Sequence, residues 1–156
     1  MLKLILADDE KVIRETISSL INWDSLGIEL AAVCENGPET LQEILDIKPD
    51  IVMTDIKMPG MSGLDLIGKV CTNTDLTIEF ILLSGYADFE YAKQAMKYGV
   101  RYYLLKPTDK QELIDSLVSI RHELTLKEAR RQKEQEHLLR DLQAPLEQSF
   151  IMEALE

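Results

Sequence analysis

Charged side chains follow three short apolar runs, and their types suit the chemistry of a metal ion and a phosphoryl group. The runs are Leu4–Ala7, Ile51–Thr54 and Tyr103–Leu105. Asp8 and Asp9 follow the first run, and Asp55 follows the second. Lys106 follows the third. Carboxylates are ligands for a divalent cation, and an ammonium can pair with phosphoryl oxygens. These residues therefore predict an acidic site with one cation beside it.

The elements that must position these residues alternate between short apolar runs and amphipathic stretches. The pattern predicts strands at about residues 3–7, 29–34, 50–54, 77–83 and 101–105. It predicts helices at about residues 11–21, 38–47, 63–70, 89–98 and 110–124. Five repeats of strand and helix, with strands that are apolar on both faces, are typical of a doubly wound α/β fold around a five-stranded parallel sheet.

The ligand site of such a sheet lies at the carboxyl ends of its strands, where the strand order reverses. We assume the flavodoxin-like order 2-1-3-4-5, in which this point lies between the first and third strands. The first strand leads into Asp8 and Asp9, and the third leads into Asp55. The expected fold therefore brings the acidic residues to one site.

The net charge of the 156 residues is −11, and the acidic excess is uneven. Residues 1–120 contain 20 acidic and 11 basic side chains, whereas residues 121–156 contain 8 and 6. An acidic globular part argues against direct binding to nucleic acid or to an anionic membrane surface. No apolar stretch approaches transmembrane length, and the first apolar run is too short for a signal peptide. We therefore expect a cytoplasmic protein.

Only two cysteines are present, Cys34 and Cys71. Neither lies in a C-x-x-C motif or in a cluster with histidine, which argues against a zinc site or a disulfide framework. We predict that both are buried free thiols in a reducing compartment.

The character of the chain changes after about Arg121, where Lys, Arg, Glu and Gln dominate and a solvated continuation of the last helix is expected. Leucines return from Leu138 onward at roughly helical spacing, and Pro145 is expected to kink or break the helix. A heptad repeat can be drawn through Leu117, Leu124, Leu138 and Leu142, but Lys, Arg and Gln occupy its other core positions. This pattern disfavours a coiled coil. An apolar face with no later element to cover it indicates a fragment of a longer protein, or an interface.

Five short motifs occur in a fixed order along the chain. They are Asp8-Asp9, Asp55-Ile56-Lys57-Met58-Pro59-Gly60, Ser84-Gly85-Tyr86, Tyr103 and Lys106-Pro107. This ordered set resembles the chemotaxis-type receiver domain of two-component response regulators, over about residues 1–122. Residues 123–156 are then predicted to form a helical linker toward an absent output domain. The amino-acid sequence of residues 22–28 and 84–92 further resembles that of receivers fused to AraC-type helix-turn-helix output domains.

The resemblance implies that Asp55 is the phosphoacceptor. Its carboxylate would attack the phosphorus of a phosphohistidine and become an acyl phosphate. The resemblance also implies a Mg²⁺ ion, with protein ligands from Asp8, Asp9 and Asp55 and from the backbone carbonyl of Lys57. One member of the Asp8–Asp9 pair would act through a water molecule.

The resemblance also assigns a counter-ion and a switch. Lys106 would pair with the phosphoryl oxygens, aimed into the cleft by a cis Lys106–Pro107 bond. Ser84 would donate a hydrogen bond to the phosphoryl group, and Tyr103 would then turn from an exposed to a buried position near Ser84. Such a change biases a surface that has two states.

Two positions depart from the chemotaxis-type pattern and are predicted to tune dephosphorylation. They are Lys57, two residues after Asp55, and Tyr86, two residues after Ser84. By resemblance they flank the path of the hydrolytic water. A long lysine and a bulky tyrosine should hinder that water, so we predict a longer phosphoryl lifetime than with Asn and Glu at these positions.

The implied function is a phosphorylation-activated response regulator that accepts its phosphoryl group from a sensor histidine kinase. We expect slow autodephosphorylation rather than enzymatic turnover, a homodimer on phosphorylation, DNA contact only through an output domain outside this chain, and no membrane partner. Two alternatives stay open: a metal-dependent aspartyl-nucleophile phosphatase, and a stand-alone receiver that acts by protein binding. Such a phosphatase usually needs a second acid two residues after the nucleophile, where this chain has Lys57.

Overall fold

The computed structural model describes the backbone of residues 1–85 and 89–155, and the side chains of residues 1–85 and 90–142. Strands and helices alternate along these residues, as the apolar pattern predicts. The strands are β1 (Leu2–Ala7), β2 (Ile28–Cys34), β3 (Ile51–Asp55), β4 (Glu79–Ser84) and β5 (Tyr102–Leu105). The helices are α1 (Lys11–Leu20), α2 (Gly37–Ile47), α3 (Gly63–Asn73), α4 (Phe89–Met96) and α5 (Lys110–Leu155), with a short 3₁₀ helix at Asp24–Leu26.

The five strands form one parallel sheet in the order β2-β1-β3-β4-β5, which confirms the predicted flavodoxin-like fold. Ala7 of β1 pairs with Thr54 of β3, so the residues that follow leave neighbouring strands at the same level. Ser84 of β4 pairs with Leu105 of β5. This register brings the charged strand ends to one edge of the sheet.

The hydrophobic core beneath the carboxyl ends of the strands fixes the position of β3. All five residues of this strand are buried. One core cluster joins apolar side chains of the sheet to those of α2, α3 and α4. Its members include Ile5, Val52, Leu82, Ile44, Ile67 and Ala95. A strand that is buried along its whole length has little freedom, so the residue at its carboxyl end is placed firmly.

The start of β4 shows why strand boundaries differ from the predicted ones. The strand is predicted from Thr77 but begins at Glu79, which pairs with Ile51 at the start of β3. Leu76 and Ile78 are apolar because they pack against the core, although they lie outside the paired residues. Apolar character therefore marks burial, whereas strand structure also requires a partner strand.

The last helix continues to Leu155, which confirms the expected extension beyond Arg121, and it does not break at Pro145. A proline removes one hydrogen bond and bends a helix, but the turns on either side can still pair. Leu138, Leu139 and Leu142 are exposed. The chain divides into two compact units, Met1–Val118 and Ser119–Glu156. The functional division into residues 1–122 and 123–156 stays a prediction.

The two cysteines differ in environment. Cys34 is buried, and this burial raises the pKa of its thiol to about 11. Cys71 is exposed, which corrects the expectation that both thiols are buried. Cys71 follows Val70 on α3 and lies off the buried stripe of that helix, which is formed by Gly63, Leu66, Ile67 and Val70.

Among the described residues, no helix is both long enough and apolar enough to cross a membrane.

Candidate functional site

Asp8, directly after β1, is completely buried and is fixed by contacts on both its side chain and its backbone. The Glu10 amide donates a hydrogen bond to Asp8 Oδ1 at 2.9 Å. The Arg14 guanidinium donates to the Asp8 backbone carbonyl at 2.8 Å. Lys106 Nζ lies 2.7 Å from Asp8 Oδ2, so this buried oxygen has an ammonium as its charge partner, and no other donor among the described residues bonds to it.

Asp55 ends β3 and faces the same lysine. Its Oδ1 accepts a hydrogen bond from the Ile56 amide at 2.8 Å, and its Oδ2 lies 3.1 Å from Lys106 Nζ. The Lys106 amide donates to the Ser84 carbonyl at 2.7 Å, and the Lys106–Pro107 bond is cis, as expected. The structure therefore joins Asp8 and Asp55 through one ammonium, whose side chain is only 17% exposed.

This arrangement shifts the ionisation of two groups. Burial raises the pKa of Asp55 to about 6, the Asp8 carboxylate adds to the rise, and Lys106 opposes it. Burial alone would lower the pKa of Lys106, but its contacts with Asp8 and Asp55 outweigh burial and raise that pKa. At neutral pH the site therefore holds a charged lysine and a charged Asp55 carboxylate that is costly to keep ionised.

We expect Asp55→Asn to stabilise the metal-free protein at pH 7 by about 3 kcal/mol, and by much less at pH 4. In the unfolded chain Asp55 ionises at its ordinary pKa, near 3.8, whereas in the folded chain its pKa is about 6. Between these values the folded state binds more protons, so this group's contribution to stability falls as pH rises. The asparagine stays neutral and escapes that loss.

Urea unfolding in EDTA at pH 4, 5.5 and 7 measures this difference. Asp65→Asn, which changes an exposed acid in the first turn of α3, serves as the control and should give a small difference at every pH. A difference between Asp55→Asn and the unchanged protein that does not vary with pH would contradict the raised pKa of Asp55.

The acidic side chains next to β1 are the ones that could hold a metal ion. Asp8, Asp9 and Glu10 each offer a carboxylate oxygen, and these oxygens lie within 4.8 Å of one another. Oxygen donors suit Mg²⁺, and no donor among the described residues other than Lys106 bonds to the buried Asp8 Oδ2, so the residues fit such an ion. Asp55 lies outside this group and joins it through Lys106.

Glu10 belongs to this acidic group but was not among the predicted site residues. Its carboxylate lies 3.9 Å from Lys106 Nζ and is 62% exposed. The signal in the sequence was its position directly after Asp8-Asp9. Because a helix begins at the next residue, that position also suits an ordinary acid at a helix N-terminus, so the sequence did not distinguish the two roles.

The predicted switch residues lie together on the neighbouring strands. Ser84 is completely buried and donates a hydrogen bond from Oγ to the Gly85 carbonyl at 2.8 Å. The Tyr103 hydroxyl donates to Ser84 Oγ at 3.0 Å. Tyr103 therefore already points toward Ser84 in this structure. Lys57, which is exposed, lies two residues beyond the phosphoacceptor candidate, and Tyr86 lies outside the described residues.

Two glycines allow the loop after Asp55 to approach its neighbours closely. A Cβ added at Gly63 would overlap the backbone carbonyl of Asp55, and one added at Gly37 would overlap the backbone of Met61. The Gly63 amide donates to the Ile56 carbonyl at 2.6 Å. These contacts place the first turns of α2 and α3 directly against the loop that carries Asp55.

Comparison with known proteins agrees with this geometry. Residues 4–118 match the response regulator receiver domain family. The uncharacterized transcriptional regulatory protein YesN of Bacillus subtilis is 47% identical over 133 residues, covering 85% of this chain and 36% of YesN. The transcriptional regulatory protein HptR of Staphylococcus aureus is 37% identical over 113 residues, covering 72% of this chain and 44% of HptR. The chain thus spans less than half the length of these curated relatives.

Solved structures give the same assignment. The receiver (REC) domain of AraT, a response regulator from Geobacillus stearothermophilus, is 35% identical with a TM-score of 0.77, covering 81% of this chain and 98% of that one. A two-component transcriptional regulator AraC from Clostridium phytofermentans is 30% identical with a TM-score of 0.72, covering 83% and 99%. With the family match, the sheet order and the paired strand ends in agreement, this chain belongs to the response regulator receiver domain family.

Proposed function

We propose that this chain is the phosphorylation-activated receiver of a transcription factor, with Asp55 as its phosphoacceptor. The observation that supports this most directly is the Lys106 ammonium, which lies within 3.1 Å of both Asp55 Oδ2 and Asp8 Oδ2. A cation in this position can pair with the oxygens of a phosphoryl group attached to Asp55. The reversal point of a doubly wound sheet is also where such folds bind their ligands.

Asp55 acts as the nucleophile in this proposal. One of its carboxylate oxygens attacks the phosphorus of a phosphohistidine in line, and the P–N bond breaks with its electron pair remaining on the histidine nitrogen. Asp8, Asp9, Asp55 and the carbonyl of Lys57 would hold Mg²⁺, which would supply charge neutralisation at the site. The product is an acyl phosphate on Asp55.

Lys106, Ser84 and Tyr103 then respond to the new group. Lys106 pairs with a phosphoryl oxygen, and the Ser84 hydroxyl turns from the Gly85 carbonyl to donate to another. This rotation changes the acceptor of the Tyr103 hydroxyl, which donates to Ser84 Oγ before phosphorylation. The surface around Tyr103 thereby has a state that depends on the phosphoryl group.

The partners follow from this role and from the relatives. The phosphoryl donor is a sensor histidine kinase, and two phosphorylated receivers pair as a homodimer. The names of YesN, HptR and the AraC-type neighbour describe transcriptional regulators, so we assign residues 123–156 as a helical linker toward an AraC-type DNA-binding output domain. The compartment of this signalling is the cytoplasm.

Incubation with acetyl phosphate and Mg²⁺, followed by intact mass spectrometry, tests the proposal. We expect one adduct of about 80 Da, the mass of one phosphoryl group, and none in EDTA. Asp55→Ala should take up none, whereas Asp65→Ala, which changes an exposed acid of α3, should be phosphorylated normally. An adduct that persists in Asp55→Ala would assign the phosphoacceptor elsewhere. Steady turnover of a phosphomonoester would instead support the phosphatase alternative.

The lifetime of the phosphoryl group provides a separate prediction. We expect the double variant Lys57→Asn, Tyr86→Glu to lose its phosphoryl group several-fold faster, because the family resemblance puts these two positions beside the path of the hydrolytic water, which a short or acidic side chain hinders less. The loss of the adduct over time in the presence of Mg²⁺ measures the rate. An unchanged or longer lifetime would count against the predicted tuning role of Lys57 and Tyr86.

A further inference from the structure

Arg14 lies one helical turn beyond the acidic residues and contacts the backbone rather than a carboxylate of the site. We propose that Arg14 is a positioning residue that sets the orientation of Asp8 and Asp9 for the divalent cation, an inference that rests on the proposed function. Its Nη1 donates to the Asp8 carbonyl at 2.8 Å, and its Nη2 lies 3.7 Å from Glu35 Oε2.

The hydrogen bond from Arg14 to the Asp8 carbonyl can orient Asp9 because the two residues share one peptide group. The Asp8 carbonyl and the Asp9 amide belong to one planar peptide group, so a hydrogen bond that fixes the carbonyl also fixes the plane. That plane fixes the direction of the Asp9 N–Cα bond, so the Asp9 side chain takes its direction from rotation about this one bond. The Glu10 amide holds Asp8 Oδ1 at 2.9 Å and Lys106 pairs with Asp8 Oδ2, whereas Arg14 acts on the peptide group that joins Asp8 to Asp9.

Arg14 is well suited to this task because its backbone is held in α1 and its side chain is largely buried. Its amide donates to the Glu10 carbonyl at 3.1 Å, which anchors it in the first turn of α1. Its side chain is only 16% exposed, whereas the Glu35 side chain is 65% exposed. A planar guanidinium can bind two acceptors in a fixed geometry, here one after β1 and one after β2.

The loop that contains Glu35 also contacts the loop after Asp55. The Gly37 amide donates to the Pro59 carbonyl at 3.3 Å. Asn36, between Glu35 and Gly37, caps α2 by accepting the Glu39 amide at 2.8 Å. Arg14 therefore joins the acidic loop to a loop that is itself tied to the phosphoacceptor loop. Outer contacts of this kind orient metal ligands, and their removal typically weakens metal binding by about tenfold or more.

Electrostatics alone predicts the opposite result. Arg14 carries a positive charge near the cation site, so its removal would reduce repulsion and strengthen Mg²⁺ binding. A positioning role predicts weaker binding. The sign of the change in affinity therefore distinguishes the two effects.

The test is the dissociation constant for Mg²⁺, measured by calorimetry on the whole chain. Arg14→Met keeps the apolar length of the side chain and removes its charge and donors, and we expect roughly tenfold weaker binding. Arg14→Lys restores a donor and should recover part of the loss. Lys11→Met removes the same charge from an exposed position of α1, where its contact is Glu15 at 3.7 Å, and should leave binding equal or slightly tighter.

Thermal unfolding in EDTA serves as the check on folding, and we expect similar midpoints for the Arg14 and Lys11 variants. Equal or tighter Mg²⁺ binding by a folded Arg14→Met would overturn the proposal. If Arg14→Met does not fold, Arg14→Gln is the deciding variant, because glutamine keeps one amide donor but reaches less far. We expect Arg14→Gln to bind Mg²⁺ several-fold more weakly than the unchanged protein. Failure of the unchanged protein to bind Mg²⁺ or to be phosphorylated would instead refute the proposed function.

Discussion

Replacement of Lys106 by methionine should destabilise the metal-free protein by about 3 kcal/mol at pH 7.5. Asp8 Oδ2 and Asp55 Oδ2 both contact the Lys106 ammonium, so these charged oxygens lie within about 6 Å of each other. Asp8 is 0% exposed and Asp55 is 6% exposed, so water cannot replace the missing cation. Urea unfolding in EDTA measures the loss.

Two further variants separate the effect of the ion pairs from other effects of the substitution. Lys69→Met removes an exposed lysine of α3 and should change the free energy of unfolding by less than about 0.5 kcal/mol. Asp55→Asn removes one of the two facing carboxylates, so the cost of Lys106→Met in that background should be smaller by more than about 1 kcal/mol. Equal costs in the two backgrounds would show that the Lys106–Asp55 pair is not the source of the loss.

Gly63→Ala should destabilise the protein by about 3 kcal/mol and slow phosphoryl uptake. Gly63 begins α3, where alanine would normally be a better helix former. Its added Cβ would overlap the carbonyl of Asp55, which is backbone and cannot rotate away. Relief of the overlap must move either α3 or the residue proposed as phosphoacceptor. Urea unfolding and the rate of adduct formation with acetyl phosphate measure the two effects.

Gly68→Ala is the matched control on the same helix. Its added Cβ would lie 3.2 Å from the Tyr98 hydroxyl, which is the far end of a side chain and can shift. Alanine is favoured over glycine inside a helix by about 1 kcal/mol, so Gly68→Ala should be neutral or stabilising, with normal phosphoryl uptake. Equal losses for Gly63→Ala and Gly68→Ala would refute the special role of close packing at Gly63.

The main elements of the site could be predicted because each reflects a local pattern. Apolar runs of strand length that end in Asp8, Asp55 and Lys106 predict carboxyl ends of strands, and the alternation with helices predicts parallel strands. The ordered motifs then predict which residues meet. The sheet order and the pairing of Ala7 with Thr54 agree with that expectation.

Other features could not be predicted because they depend on distances between segments that are remote in sequence. A Cβ added at Gly63 overlaps the Asp55 carbonyl because α3 approaches the end of β3 very closely. The presence of a glycine in the sequence does not reveal that distance. Likewise, nothing in the sequence around Arg14 distinguishes it from other helical arginines. Its contact with Glu35 arises because β2 pairs with β1.

The sequence by itself determined which residues carry the charge and at which strand ends they lie, because burial of apolar runs and helical periodicity are properties of neighbouring residues. Only the tertiary structure decided how those charges interact. It placed one ammonium between Asp8 and Asp55, and burial together with the facing charge of Asp8 raised the pKa of Asp55 to about 6. Coulomb energies and desolvation depend on separation and solvent access, and both are set by packing.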